Sequence, residues 1–152
     1  MERWLAGRSS GPEGAGAAPR PNLFLGSHDP LLDWALRESG AGLATYCDGS
    51  ADGLDRFAAG EGVATGLHLY APDSDAWNEP QVRARFRDRG VVLVEFAWRE
   101  RGLVVSDAFA GRVRAFADLR GLHIAPRQPG AGSQALFEHL LECSALGPAD
   151  IT

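Results

Sequence analysis

The chain contains no lysine. Arginine supplies all 15 basic residues, which stand against 20 acids and leave a net charge of −5. Nucleic-acid modules carry a basic surplus, so this balance argues against a direct grip on phosphate backbones. Cysteine is scarce: Cys47 and Cys143 are far apart and form no CxxC pair. That excludes a zinc knuckle and any disulfide framework beyond one bond. His28, His68, His123 and His139 lack the close spacing of a metal site, so none is expected. There is no GxGxxG and no lysine to complete a P-loop. Neither an enzyme nor a cofactor is expected from this inventory. No apolar run approaches the ~20 residues that cross a bilayer. The N-terminus has no apolar core of a secretory signal, which gives a cytoplasmic expectation.

What is present has globular composition. Hydrophobic residues make up 45% and charged residues 23% of 152, enough for one ordinary domain or two small lobes. Residues 1–21 are the exception, because 7–21 are mostly Gly, Ala, Pro and Ser with almost nothing to bury. They read as a flexible tether to something once attached, or equally as an unstructured tail behind an upstream start codon.

From residue 22 a regular pattern begins. Residues 22–26 read as a strand, and Asp29-Pro30 opens a helix, since proline is favoured in a first turn. Gly40 and Gly42 end it, and 43–47 read as a second strand. Ser50 is an expected N-cap for a second helix, which Gly60 and Gly62 stop before a third strand at 63–70. Strand, helix, strand, helix, strand points to a parallel sheet. Beyond it, 71–78 read as loop and 79–88 as helix. Residues 91–98 read as the strongest strand, paired in a hairpin with 102–106. A short helix around 113–117, a strand at 122–125 and a last helix from 132 complete the pattern.

Three places share one design: a strand ends, a small polar residue follows, a helix begins. They are Gly26-Ser27-His28-Asp29, Gly49-Ser50, and the stretch from Arg127-Gln128 to Gly132-Ser133. Ligands of open parallel sheets bind at the carboxyl ends of strands, and helix starts offer unpaired N–H groups that suit an anion. Serine hydroxyls donate without adding charge, and Arg127 offers a bidentate contact. Each piece also has a plain alternative: a capping serine, a loop-shaping glycine, an arginine paired to a nearby acid. Recurrence at three junctions favours the functional reading. Ser27, His28 and Asp29 spell a hydrolase triad, but sequence neighbours cannot converge as a triad must.

Six segments in order carry a resemblance: Leu25-Gly26-Ser27-His28-Asp29-Pro30; Gly49-Ser50 with Gly53-Leu54; Gly66-Leu67-His68-Leu69; Trp77-Asn78-Glu79-Pro80-Gln81-Val82; Trp98-Arg99-Glu100-Arg101-Gly102-Leu103; and Arg127-Gln128-Pro129-Gly130-Ala131-Gly132-Ser133. Over about residues 22–145 the chain resembles the periplasmic-binding-protein-like domain fused to molybdate-type helix-turn-helix regulators or to molybdopterin-biosynthesis proteins. The resemblance implies a type 2 solute-binding α/β fold with a first lobe at 22–78. Residues 79–147 would form a crossover and partial second lobe, with 148–152 a tail. It implies a small oxyanion as ligand, molybdate or tungstate first. Carried over by position, Ser27 and His28 would line the first lobe's rim, joined by Ser50, with His68 near the hinge. Arg127, Gln128 and Ser133 would come from the second lobe.

Two departures stand out. The family has a second basic residue and a threonine where this chain has Ser133-Gln134, and the family continues for several more elements. On that comparison the chain is truncated, and 122–125 becomes an exposed sheet edge open to self-association. The alternative expectation is a regulatory or interaction fragment that binds no small molecule alone. Partners implied are the oxyanion and an associated helix-turn-helix domain.

Overall fold

The structure is a computed structural model that describes residues 19–152. Most of the expected tether, residues 1–18, lies outside them. Arg20 is already part of the fold: its guanidinium donates to the carbonyls of Phe57 (2.7 Å) and Gly62 (3.0 Å) and stacks on the Phe57 ring.

The architecture is α/β. Strand β1 (Leu23–Gly26) lies at the centre of a parallel sheet, between β2 (Ala44–Tyr46) and β3 (Ala64–Gly66). The central place explains its burial. Phe24 and Leu25 are core residues, Leu25 completely, whereas the edge strand β2 is exposed throughout. A fully buried leucine stabilises by about 1.5–3 kcal/mol. Helix α1 (Pro30–Ser39) connects β1 to β2, and α2 (Ser50–Ala58) connects β2 to β3. The Asp29 carboxylate caps α1 by accepting from Leu32 N at 3.0 Å. Helix α2 lies directly on the sheet because two glycines meet there. A Cβ on Gly53 would fall inside the Gly26 backbone, and Gly26 itself has φ +98°.

The expected third strand at 63–70 breaks in two. The amide of His68 donates to Ser50 Oγ (3.1 Å) and that of Leu69 to Asn78 Oδ1 (2.8 Å), so neither is free for the ladder. The expected loop at 71–78 contains a small hairpin instead, β4 (Tyr70–Ala71) with β5 (Ala76–Trp77), closed over a 3-10 turn at Pro72–Ser74. Helix α3 (Glu79–Phe86) then buries Phe86 edge-on against Phe57, with ring centroids 5.5 Å apart.

Residues 91–98 and 102–106 form neither strands nor a hairpin; no ladder partner exists for them among the described residues. Their apolar alternation favours extended chain, but a strand needs a neighbour. Val92, Val94, Phe96, Trp98 and Val104 are exposed by 51–100%. Isolated exposed apolar residues are ordinary, but a continuous run is not.

The expected helix at 113–117 is a 3-10 turn at Phe116–Leu119. Residues 122–125 form no strand and are not a free edge. Ile124 N donates to Thr152 O (2.7 Å), and Thr152 N donates to Leu122 O (2.9 Å). Helix α4 (Gly132–Cys143) packs a second core of Leu119, Leu141 and Leu146, against which Phe116, Phe137 and Ile151 sit. Residues 148–152, expected as a tail, fold back through a 3-10 turn at Pro148–Asp150 onto that core. No helix among the described residues is long and apolar enough to cross a membrane.

Candidate functional site

With strand order β2-β1-β3, the chain leaves β1 toward one side and returns on the other. The carboxyl ends of β1 and β3 therefore flank the point where the order switches, the usual ligand position of an open α/β sheet. Ser27 follows β1 there, and Leu67-His68 follows β3. Ser27 N donates to Gly66 O (2.8 Å), and Ser27 Oγ shares a 3.1 Å hydrogen bond with His68 Nδ1.

Two helix starts meet at the same place. Ser50 does not cap α2, contrary to the sequence expectation. Gly49 holds that position without a side-chain bond, and Ser50 is the first helical residue, almost fully buried. Its hydroxyl, freed from capping, accepts from His68 N. Helix α4 begins against the same histidine: a Cβ on Gly132 would collide with the His68 carbonyl. Neither start has a side-chain cap, and the first turn of α4 has no acid. Uncapped N–H groups and the positive ends of two helices thus lie close to one imidazole.

Burial first, then the charges of Arg101 and Arg99, push the His68 pKa down to about 4, with Asp29 opposing them and Arg127 adding to them. The ring is therefore neutral near pH 7. Among the described residues its buried Nε2 has no hydrogen-bond partner, nor has Thr65 Oγ1 next to Gly26 and Gly53. A buried unpaired polar atom costs roughly 1–3 kcal/mol. Asp29 stands two residues beyond Ser27. Burial raises its pKa, but the amides of Leu32 and Leu31 and the Arg99 guanidinium outweigh this and leave it lowered. Arg99 forms an ion pair with Asp29.

The structure thus brings Ser27, His68 and Ser50 together, with Ser133 half-buried in the first turn of α4. His28 instead lines a cavity of about 60 Å³ together with Ser27, Asp29, Asp33, Thr45 and Cys47. Burial and the nearby Asp33 charge raise the Cys47 thiol pKa, so it stays protonated. Arg127 and Gln128 are exposed and bond to each other through Nε and Oε1 at 3.2 Å. Arg99 and Arg101 were not among the sequence candidates. Their spacing was the available signal, since residues two apart in extended chain share a side. Among the described residues no cluster of three His, Cys, Asp or Glu side chains forms a metal site.

A PBP superfamily domain model matches residues 33–152. The chain belongs to the PBP superfamily. It is 26% identical over 141 residues to the uncharacterized protein YvgK of Bacillus subtilis (strain 168). That match takes in 87% of this chain and 45% of YvgK, so the chain spans about half the length of its relative. No solved structure matches it significantly. Membership of the superfamily agrees with the parallel sheet and makes a solute-binding type of module the coarse functional assignment.

Proposed function

We propose that this PBP superfamily chain is a non-enzymatic, cytoplasmic module that binds or senses a small oxyanion, molybdate or tungstate first, within a transcriptional regulator or a molybdenum-cofactor system. The observation that carries the reading is the Ser27–His68 pair with its buried, unpartnered Nε2, set where two uncapped helix starts converge. When Ser27 donates to Nδ1, Nε2 holds the ring proton and presents a donor. The single Ser27 proton is then committed to Nδ1, so the neutral donor set offered to an oxyanion is that N–H, the Ser50 and Ser133 hydroxyls and the helix amides. Of the residues expected from the resemblance, Ser27, Ser50, His68 and Ser133 form the core of this site in our reading. In the same reading Arg127 and Gln128, which are exposed and bonded to each other, supply donors from the loop before α4, and His28 stands at the rim.

Hydrolytic chemistry fits the same pair less well. A serine nucleophile needs a base whose imidazole is oriented by a third group, and His68 Nε2 has no such partner. A pKa near 4 also makes His68 a weak base at neutral pH. In the regulator setting, DNA is contacted by an associated helix-turn-helix unit, consistent with the net charge of −5 on this chain.

Calorimetry with molybdate, tungstate and sulfate tests the reading. Heat with at least one of them is expected, and Ser27→Leu should abolish it while leaving the circular dichroism spectrum unchanged. Absence of heat with the unmodified protein ends the oxyanion reading.

A second reading has its own observation. The run of exposed apolar residues between Val92 and Val104 suits an interaction fragment that associates with itself or another chain and binds no small molecule alone. Ligand-blind oligomers on size-exclusion chromatography would favour it.

A further inference from the structure

The segment after α3 carries an apolar face that the described residues leave open. Between residues 90 and 106 the chain forms neither helix, turn nor bend. No amide or carbonyl from Val92 to Val105 takes part in a hydrogen bond among the described residues. Alternate residues differ in exposure, as they do in a strand. Val92, Val94, Phe96, Trp98 and Val104 are 51–100% exposed, whereas Leu93, Leu103 and Val105 are 38–46% exposed. The second set lies toward the body of the protein. Arg99, in step with it, pairs with Asp29, and Arg101 places its guanidinium 6.0 Å from the Trp77 ring. The first set leaves an apolar face between two edges of unpaired backbone. A long apolar strand with free edges is a template for another strand.

We infer that this segment pairs edge to edge with the same segment of a second copy of the chain, antiparallel, with the two-fold axis at Ala97. The inference rests on the association reading of the apolar run and is independent of the oxyanion reading. It adds the partner, the mode of pairing and the register. A two-fold interface must be self-complementary, since residue i meets j and j meets i. The sequence is so about Ala97: Glu95 falls opposite Arg99 and Phe96 opposite Trp98, each twice. Opposite charges and aromatic pairs facing each other across a ladder are stabilising. An axis at Glu95, Arg99 or Glu100 would set a charge against its own copy instead. Within the segment Glu95 and Glu100 balance Arg99 and Arg101, so it adds nothing to the net charge of −5 that keeps copies apart. Arg99 can hold Asp29 and still reach the Glu95 of the second copy, because a guanidinium carries five donors. Glu95 accepts from Trp98 Nε1 at 3.0 Å, and its carboxylate has room for a further donor. Ala97 is small and exposed, so nothing bulky stands at the axis.

One strand from each copy makes a smaller interface than the roughly 1,200 Å² of stable complexes, so the dimer is weak and reversible. Sedimentation velocity of the full chain from about 1 μM to about 1 mM should show it. Val94→Pro combined with Ala97→Pro removes an N–H from each edge of the strand and leaves the face apolar. The dimer should be lost at every concentration. The melting temperature of the diluted protein should stay unchanged, since residues 92–105 make no backbone bond within the described chain. The register is read from Ala97→Cys and Val94→Cys, each with Cys47→Ser and Cys143→Ser. Facing residues of antiparallel strands have Cα atoms about 4.5–5.5 Å apart, within disulfide reach. Mild oxidation should therefore link the Ala97→Cys protein into dimers. It should spare the Val94→Cys protein, whose copies lie out of step by about 20 Å. A protein that stays monomeric overturns the proposal and the association reading together. A dimer that survives the two prolines overturns the strand pairing alone, as does an Ala97→Cys protein that cross-links no better than the Val94→Cys protein.

Discussion

Ser27 and His68, 41 positions apart, meet through a hydrogen bond of 3.1 Å between Oγ and Nδ1. The contact exists because β1 and β3 are parallel neighbours in register, with Gly26 opposite Gly66, so the residues that leave the two strand ends emerge side by side. Ser27→Ala should therefore lower stability by about 1 kcal/mol, the net value of one partly buried hydrogen bond. Urea denaturation measures it. An unchanged midpoint would show that the bond does not form in solution.

The depressed pKa of His68 makes stability depend on pH with a definite sign. In the unfolded chain the imidazole titrates near its ordinary 6.5; in the folded protein it titrates near 4. The unfolded state thus binds more protons between these values. Its contribution is fully present above about pH 6.5 and is lost as the pH falls through the window toward 4. The melting temperature should decline across that range, and His68→Gln should flatten the decline. A melting temperature constant from pH 6.5 to 4.5 would contradict the burial of this ring.

Gly132→Ala tests the fit of α4 against His68. The added Cβ would meet the His68 carbonyl, so the helix start or the 66–69 turn must shift. Overpacking of this kind costs about 1–3 kcal/mol. Gly90→Ala is the control, since nothing lies within 4 Å of its Cβ position. Thermal denaturation should separate the two variants. Equal melting temperatures would mean that α4 does not pack on His68.

The apolar run at 92–104 predicts concentration-dependent association. Val92→Glu combined with Trp98→Glu should shift the protein toward monomer on analytical ultracentrifugation, with little change in melting temperature, since these side chains are 86% and 89% exposed. A protein that is monomeric before the substitutions would remove association through this run.

The elements near the N-terminus were legible because local signals agreed with the tertiary arrangement. Asp29-Pro30 is a cap followed by a first-turn proline, and both act as such in α1. The central strand showed as a short apolar run, and it is buried on both faces. Ser50 misled for a physical reason. Its position before a helical stripe is that of a cap, yet the hydroxyl finds the amide of His68 instead, a partner that sequence proximity does not reveal. The same bond cuts the strand expected at 63–70. Residues 91–98 misled in the opposite way, because apolar alternation states a preference for extended chain and says nothing of whether a neighbour exists to pair with it.

By itself the sequence determined the kinds of elements, their order, the absence of lysine and of metal-ligand spacing, and the small polar residues at three strand-to-helix junctions. These follow from composition and from contacts within a turn or two of chain. Only the tertiary structure decided that Ser27, Ser50 and Gly132 all converge on His68, and that Arg99 pairs with Asp29. Those are contacts across tens of residues, set by sheet order and by glycines that permit close approach, and no local pattern encodes them.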